Sequence, residues 1–306
     1  MPRTQDEEDI LETARKRFKL VEDAEKKIRT EALDDLKFCA GEQWDQADSQ
    51  SRTGPGPNRR PCLTINKLIG PLNMTANEAR LNQASIEVHP VDNMSDPDTA
   101  DVIEGMIRHI EYTSKADAVY ETALEQACAC GFGYFRVESR YCGPKSFNQE
   151  LRIERVVDPF SIYIDPYARE ADKSDMRFAF EVEIVPKDEY KQEYPDSEVS
   201  SFNFYQGIIN PVPTWIKDTG VRIAKYWTVE TVKRTLTQVE WPDGTQKSQY
   251  KDELPDEMPT GLKLAEDRDG KPQERETEER KIRCYKINGV EILDQYDWPG
   301  QWIPIL

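Results

Sequence analysis

The apolar residues of this chain change their period at Gly133. Before it they recur at steps of three and four, and after it they alternate with polar residues. A buried helical stripe repeats about every 3.6 residues and a half-buried strand every 2, so one pattern cannot serve both structures. The switch predicts an α+β chain with two parts. Residues 1–132 form a mainly helical part, opened by a long helix, and residues 133–306 form an antiparallel β-rich part.

Within the helical part, Ile10, Leu11, Ala14, Phe18, Val21, Ala24, Ile28, Ala32, Leu36 and Cys39 share one stripe, which predicts a single long helix ending near Gly41. The stretch from Asp45 to Pro61 is rich in Gly, Pro, Ser and Asn and predicts an exposed loop. A helix is expected over Leu63–Leu81, bent at Gly70-Pro71, then a strand over Ser85–Val91. The next helix should be capped by Asp98 or Thr99 and bury Val102, Ile103, Met106, Ile107 and Ile110. A further helix carries Val119, Tyr120, Ala123, Leu124, Ala127 and Cys128, and Gly131 is placed to end it.

In the β-rich part, Tyr134–Tyr141 and Gln149–Val157 flank a turn-rich segment and predict a hairpin. Phe178, Phe180, Val182 and Ile184 alternate with Glu181 and Glu183, so the glutamates are expected on the wet face. A short helix follows over Pro186–Tyr194, then a loop with Pro211, Pro213 and Trp215. Val221, Ile223, Trp227 and Val229 mark a later strand, and Glu240 to Gly244 a turn. Asn288-Gly289 predicts a two-residue hairpin turn. Residues 250–280 hold 11 acidic and 6 basic residues among few large apolar ones, the composition of a solvated excursion. The final Trp302-Ile-Pro-Ile-Leu306 has the character of a strand entering a core, so the sequence is expected to stop partway through a larger protein.

Charge bounds the function. With 41 basic and 58 acidic residues the net charge is −17, which opposes gripping nucleic acid over the whole surface. It is compatible with a wall past which DNA slides without sticking. No apolar run approaches the ~20 residues that span a bilayer, and the acidic start lacks the apolar core of a signal peptide. The six cysteines lack framework spacing, which predicts reduced structural thiols packed among apolar neighbours.

Catalytic equipment is sparse. The two histidines, His89 and His109, fall at a strand end and on a charged helix face, and are read as surface residues. Cys128 and Cys130 have no second Cys/His pair at metal-site spacing, so helix packing is the expectation. Gly131-Phe-Gly133 fits neither a dinucleotide loop nor a phosphate loop. Asp158, Asp165 and Asp196 each adjoin a proline and are read as turn residues, with a divalent-metal nuclease as the competing reading. Arg52, Arg59 and Arg60 are candidates for phosphate contact, although loop arginines more often pair with local acids. No catalytic, cofactor-binding or metal residue is assigned.

The order of short phrases resembles the portal proteins of short-tailed bacteriophages. The phrases are Asp35, Phe38, Gly41, Gln43 and Trp44; then Asn66, Glu78, Arg80, Ile86, Val88 and Pro90; then the bend at Gly131–Tyr134; then Val157-Asp-Pro-Phe160 with Tyr163-Ile-Asp-Pro166; and later Ile223–Trp227 and Trp302–Leu306. The resemblance implies a structural ring protein, typically of twelve subunits, at one capsid vertex of the virion, assembled in the host cytoplasm. It implies as partners the terminase large subunit, capsid and scaffolding proteins, head-completion and tail proteins, and double-stranded DNA that passes without sequence-specific binding. It implies no enzyme activity, no cofactor and no membrane. This chain would be the wing-like N-terminal portion, lacking counterparts of the later channel helices and crown. Another phage structural or scaffold-interacting protein is the alternative, and a metal-dependent nuclease the minor one.

Overall fold

The computed structural model describes residues 5–53, 60–82, 85–90, 96–197, 220–241, 245–254, 263–265 and 272–306. It opens with α1 (Gln5–Ala40), ended by Gly41 in the left-handed region at φ +107°. Leu11, Ala14, Phe18 and Val21 face inward as expected. Ala24 and Ile28 do not: both are exposed, and Glu25 and Arg29 take the inward positions. The apolar stripe therefore gives way to a buried ion pair in the middle of the helix.

The expected loop after Asp45 contains a helix, α2 (Gln46–Thr53), with no buried residue. The Arg52 guanidinium, 4.6 Å from the Trp44 ring centroid, holds it against the end of α1. The next helix, α3 (Ile69–Leu81), starts six residues later than expected. Pro71 thus lies in its first turn, where the missing N–H costs nothing, and no bend forms. Residues 85–90 pair with no strand among the described residues, so the strand expected there is absent, and Val91 lies outside them.

Helix α4 (Pro97–Ser114) is capped by Asp96, not by Asp98 or Thr99: the Asp96 carboxylate accepts from the Asp98 N–H and the Thr99 hydroxyl. Lys115, at φ 53°, breaks it from α5 (Ala116–Cys130), which Gly131 terminates at φ +88°.

The β-rich part begins with a separate hairpin, β1 (Phe135–Tyr141) and β2 (Gln149–Arg155). The main sheet follows: β3 (Ile162–Ile164), β4 (Phe178–Pro186), β5 (Gly220–Glu240), β6 (Gln246–Tyr250), β7 (Lys263–Leu264), β8 (Glu274–Ile287) and β9 (Ile292–Trp298), with α6 (Lys187–Glu193) after β4. Its antiparallel order is β3-β4-β5-β8-β9, and β6 and β7 pair with the far half of β5. The loop with Pro211, Pro213 and Trp215 lies outside the described residues.

Both faces of the sheet are covered. On the front, α1 packs Phe18 and Val21 against Phe180, Tyr226 and Tyr285. On the back, Ile303 and Ile305 pack against Trp227, Ile282 and Cys284, so the chain's last residues do enter a core. Beyond the body, β5 and β8 run on together as an arm. The stretch expected to be a solvated excursion is part strand, since Glu274–Arg280 pairs with β5. The link from β8 to β9 is also longer than a two-residue turn. Asn288 is fully buried, accepts from the Val290 and Glu291 N–H groups at 2.8 and 2.7 Å, and donates to the Tyr190 hydroxyl. Its side chain, rather than a left-handed glycine, makes the turn.

Candidate functional site

The phrase from Val157 to Pro166 is built by turn chemistry. The Asp158 carboxylate accepts from the Phe160 N–H at 2.9 Å and caps a single 3₁₀ turn with Pro159 in its first position. The Asp165 carboxylate is buried, accepts from the Tyr167 N–H at 3.1 Å, and takes two hydrogen bonds from the Arg177 guanidinium at 2.7 and 3.0 Å. Burial opposes its ionisation, but the Arg177 hydrogen bonds outweigh it, so the carboxyl is held below the usual aspartate range. The two carboxylates flank β3 and serve separate local partners, while Asp196 is exposed beyond α6. Among the described residues, no three His, Cys, Asp or Glu side chains are grouped to hold a metal ion.

What joins this phrase to the rest of the molecule is Arg29, which no sequence motif picks out. It is buried, donates to the Phe160 carbonyl at 2.8 Å and to the Ile162 carbonyl, pairs with Glu25 at 2.7 Å and stacks on Tyr163. Burial pushes the Glu25 carboxyl up, opposed by the Arg29 charge. The one signal available is position: Arg29 continues the 11, 14, 18, 21, 25 spacing of the buried stripe.

The other phrases make a second junction. Asn66 donates to the Cys39 carbonyl at 2.6 Å and caps the Leu68 N–H at 3.1 Å, while Gln43 donates to its side-chain oxygen at 3.3 Å. The Trp44 indole donates to the Leu63 carbonyl at 3.3 Å. Arg80 on α3 pairs with Glu121 and Glu125 on α5. At Gly133, any Cβ would overlap the Ala123 carbonyl, so the bend brings backbone against backbone where only glycine fits. His89 and His109 are both exposed, as expected. Of the six free thiols, Cys130 and Cys284 are buried; Cys128 and Cys142 are exposed, against the expectation of packing. Cys128 is on the solvent side because the α5 face that packs inward runs through Ala116, Val119 and Cys130. Arg60 is exposed, Arg52 stacks on Trp44, and Arg59 lies outside the described residues.

Among the described residues, two open surfaces bear on assembly. The stripe of α4 expected to be buried is largely exposed, with Val102 at 63% and Met106 at 61%. Sequence periodicity locates an apolar face but not what covers it. The second surface is a cleft of 1070 Å³ between the hairpin and the back of the main sheet. Glu181, expected in water, is largely buried there, paired with Arg136 of β1 and, at 3.5 Å, Lys225 of β5. Burial, and next the Arg136 charge, lower the Lys225 pKa. This network clamps the hairpin onto the sheet.

The arrangement is one of caps, clamps and open apolar faces, which suits assembly. The comparisons agree. The family model described as phage P22-like portal protein matches residues 15–306. A portal protein of Acyrthosiphon pisum secondary endosymbiont phage 1 is similar, 24% identical over 307 positions that cover 95% of this chain and 41% of the relative. The chain thus spans about two fifths of the length of that curated relative. With a family match running from the first third of α1 through the final residue, this chain belongs to the phage P22-like portal protein family.

Proposed function

We propose that the chain acts as the wing-like portion of a portal ring at a capsid vertex, through which viral DNA is packaged and later ejected. The observation that carries this reading is the family match over residues 15–306. In support, apolar residues of α3 and α4 are left for a neighbour to cover, with Met74, Leu81, Val102 and Met106 all more than half exposed. The ring is expected to hold twelve copies and to be a virion component assembled in the host cytoplasm. Terminase, capsid and scaffolding proteins, and head-completion or tail proteins are its expected partners. The charge of −17 favours a conduit that does not bind its DNA cargo. The role is structural, without a catalytic centre or cofactor. We further infer that residues 1–132 and 133–306 are the helical and β-rich parts of one wing, joined through Arg29 and the Phe160 and Ile162 carbonyls.

Negative-stain microscopy and light scattering of the purified full-length protein test the reading. Large closed rings are expected, and a strictly monomeric full-length product would sink it.

A further inference from the structure

The cleft behind the main sheet has unmet bonding capacity. Trp227 is only 5% exposed, and its indole Nε1 is buried without a hydrogen-bond partner. Tyr296 and Trp298 stand edge-on to it, with ring centroids 5.7 and 6.1 Å away, forming an aromatic wall. One side of the cleft is a strand edge. The Phe135 and Val137 N–H groups of β1 donate outward to the Leu306 and Pro304 carbonyls, each at 2.9 Å. Strand alternation puts the Ser139 and Tyr141 N–H groups on the same edge, past the end of that short pairing. Six acidic side chains line the cleft against three basic ones, and although Glu138, Glu150 and Asp297 pair with Arg140, Arg152 and Arg283, the balance favours a cationic occupant. An unfilled strand edge, an aromatic floor with a spare donor and acidic walls together suit an extended, basic polypeptide.

The same chain carries such a segment. Residues 60–67 lie outside any helix and pair with no strand among the described residues. Leu63 and Ile65, at period two, are 73% and 75% exposed, and Arg60 and Lys67 are exposed near its ends. The segment hangs from the far end of α1 through Asn66 and Trp44. Helix α1 covers the front of the main sheet, with Tyr226 and Tyr285, whereas the cleft opens on the back, with Trp227 and Tyr296. Segment and cleft therefore belong to different parts of one subunit, the segment to the far end of α1 and the cleft to β1, β2, β4, β5 and β9.

We propose that residues 60–67 of one copy dock as an added strand in the cleft of the next copy. The contact rests on the ring reading and deepens it. It joins two different patches, head to tail, which is the kind of contact that closes rings. In it the Trp227 N–H finds a main-chain carbonyl, Leu63 or Ile65 meets the aromatic wall, and Arg60 and Lys67 meet carboxylates such as Glu183 and Asp294.

A fluorescently labelled peptide spanning residues 58–68 tests this by anisotropy. The receptor is the full chain carrying Leu63→Glu and Ile65→Glu, whose own segment no longer competes; circular dichroism confirms that it is folded. Saturable binding is expected, at least tenfold weaker for a scrambled peptide and for receptors that also carry Ser139→Pro or Trp298→Ala. Proline at an outward-facing edge position leaves the hairpin ladder intact. Equal binding of the scrambled peptide, or binding indifferent to both cleft changes, would overturn the docking. Sedimentation of the unsubstituted chain reads the ring separately: rings without peptide binding overturn only the docking, peptide binding with open oligomers that never close overturns only the ring, and a chain that never oligomerises overturns both.

Discussion

The Arg29 guanidinium carbon lies 3.8 Å from the centroid of the Tyr163 ring, so one buried cation ties the long first helix to the first strand of the main sheet. The same guanidinium satisfies the Phe160 and Ile162 carbonyls and balances Glu25. Removing it strands two acceptors and a half-buried carboxylate. Arg29→Ala should cost roughly 3 kcal/mol of stability, measured by urea unfolding. Arg29→Lys should fall between, because an ammonium cannot present the planar fork.

Asp165 gives the fold a dependence on acid. Its carboxyl is held below its unfolded value, so its contribution is complete above that value, about 3.9, and is lost as pH falls through the folded one. Glu25, whose carboxyl is raised, works the opposite way: protonating it relieves a burial penalty. Asp165→Asn, which keeps an acceptor for the Tyr167 N–H, should lower the melting temperature at pH 7 and flatten its fall as pH drops below about 4. An unchanged acid profile would show that the Arg177 pair does not matter.

The two bend glycines should respond differently to alanine. Gly131 has open space around it and only its positive φ to protect, so Gly131→Ala should cost roughly 1–2 kcal/mol. Gly133→Ala drives a methyl into the Ala123 carbonyl and should cost more than about 2 kcal/mol. Denaturant midpoints of the two variants, compared side by side, check the order.

On α4, Val102→Gln together with Met106→Gln should leave subunit stability within about 0.5 kcal/mol, since both side chains are exposed in the single subunit. The same pair should shift assemblies towards smaller species in sedimentation. Unaltered rings would mean that this stripe faces solvent in the assembly as well.

Magnesium is expected to leave plasmid DNA intact in the presence of this protein, because Asp158 and Asp165 spend their oxygens on local N–H groups and Arg177. Cleavage that disappears with Asp158→Ala or Asp165→Ala would revive the nuclease reading.

Local chemistry made much of the fold legible. The stripe from Leu11 to Val21, the Gly41 and Gly131 stops, the hairpin around residues 142–148 and the alternation in β4 all arise from spacing and turn residues, which act within a few positions of the chain. The errors have the same origin. Asp96 took the cap expected of Asp98 or Thr99, and the Asn288 side chain made a longer turn than the two-residue one expected at Asn288-Gly289. In each case a side-chain hydrogen bond decided the local geometry.

The sequence alone determined where helix yields to sheet, since the period of the apolar residues is a local property that fixes which backbone can bury them. It also determined the kinship, through phrases whose caps and glycines fix turns. Tertiary structure alone decided which charges lie inside. Arg29, Glu181 and Lys225 read as surface residues in their own segments, and each is drawn in by a partner 44 to 133 positions away. A buried charge persists only where a distant element supplies the opposite charge or an acceptor, and no spacing within a helix or strand records that.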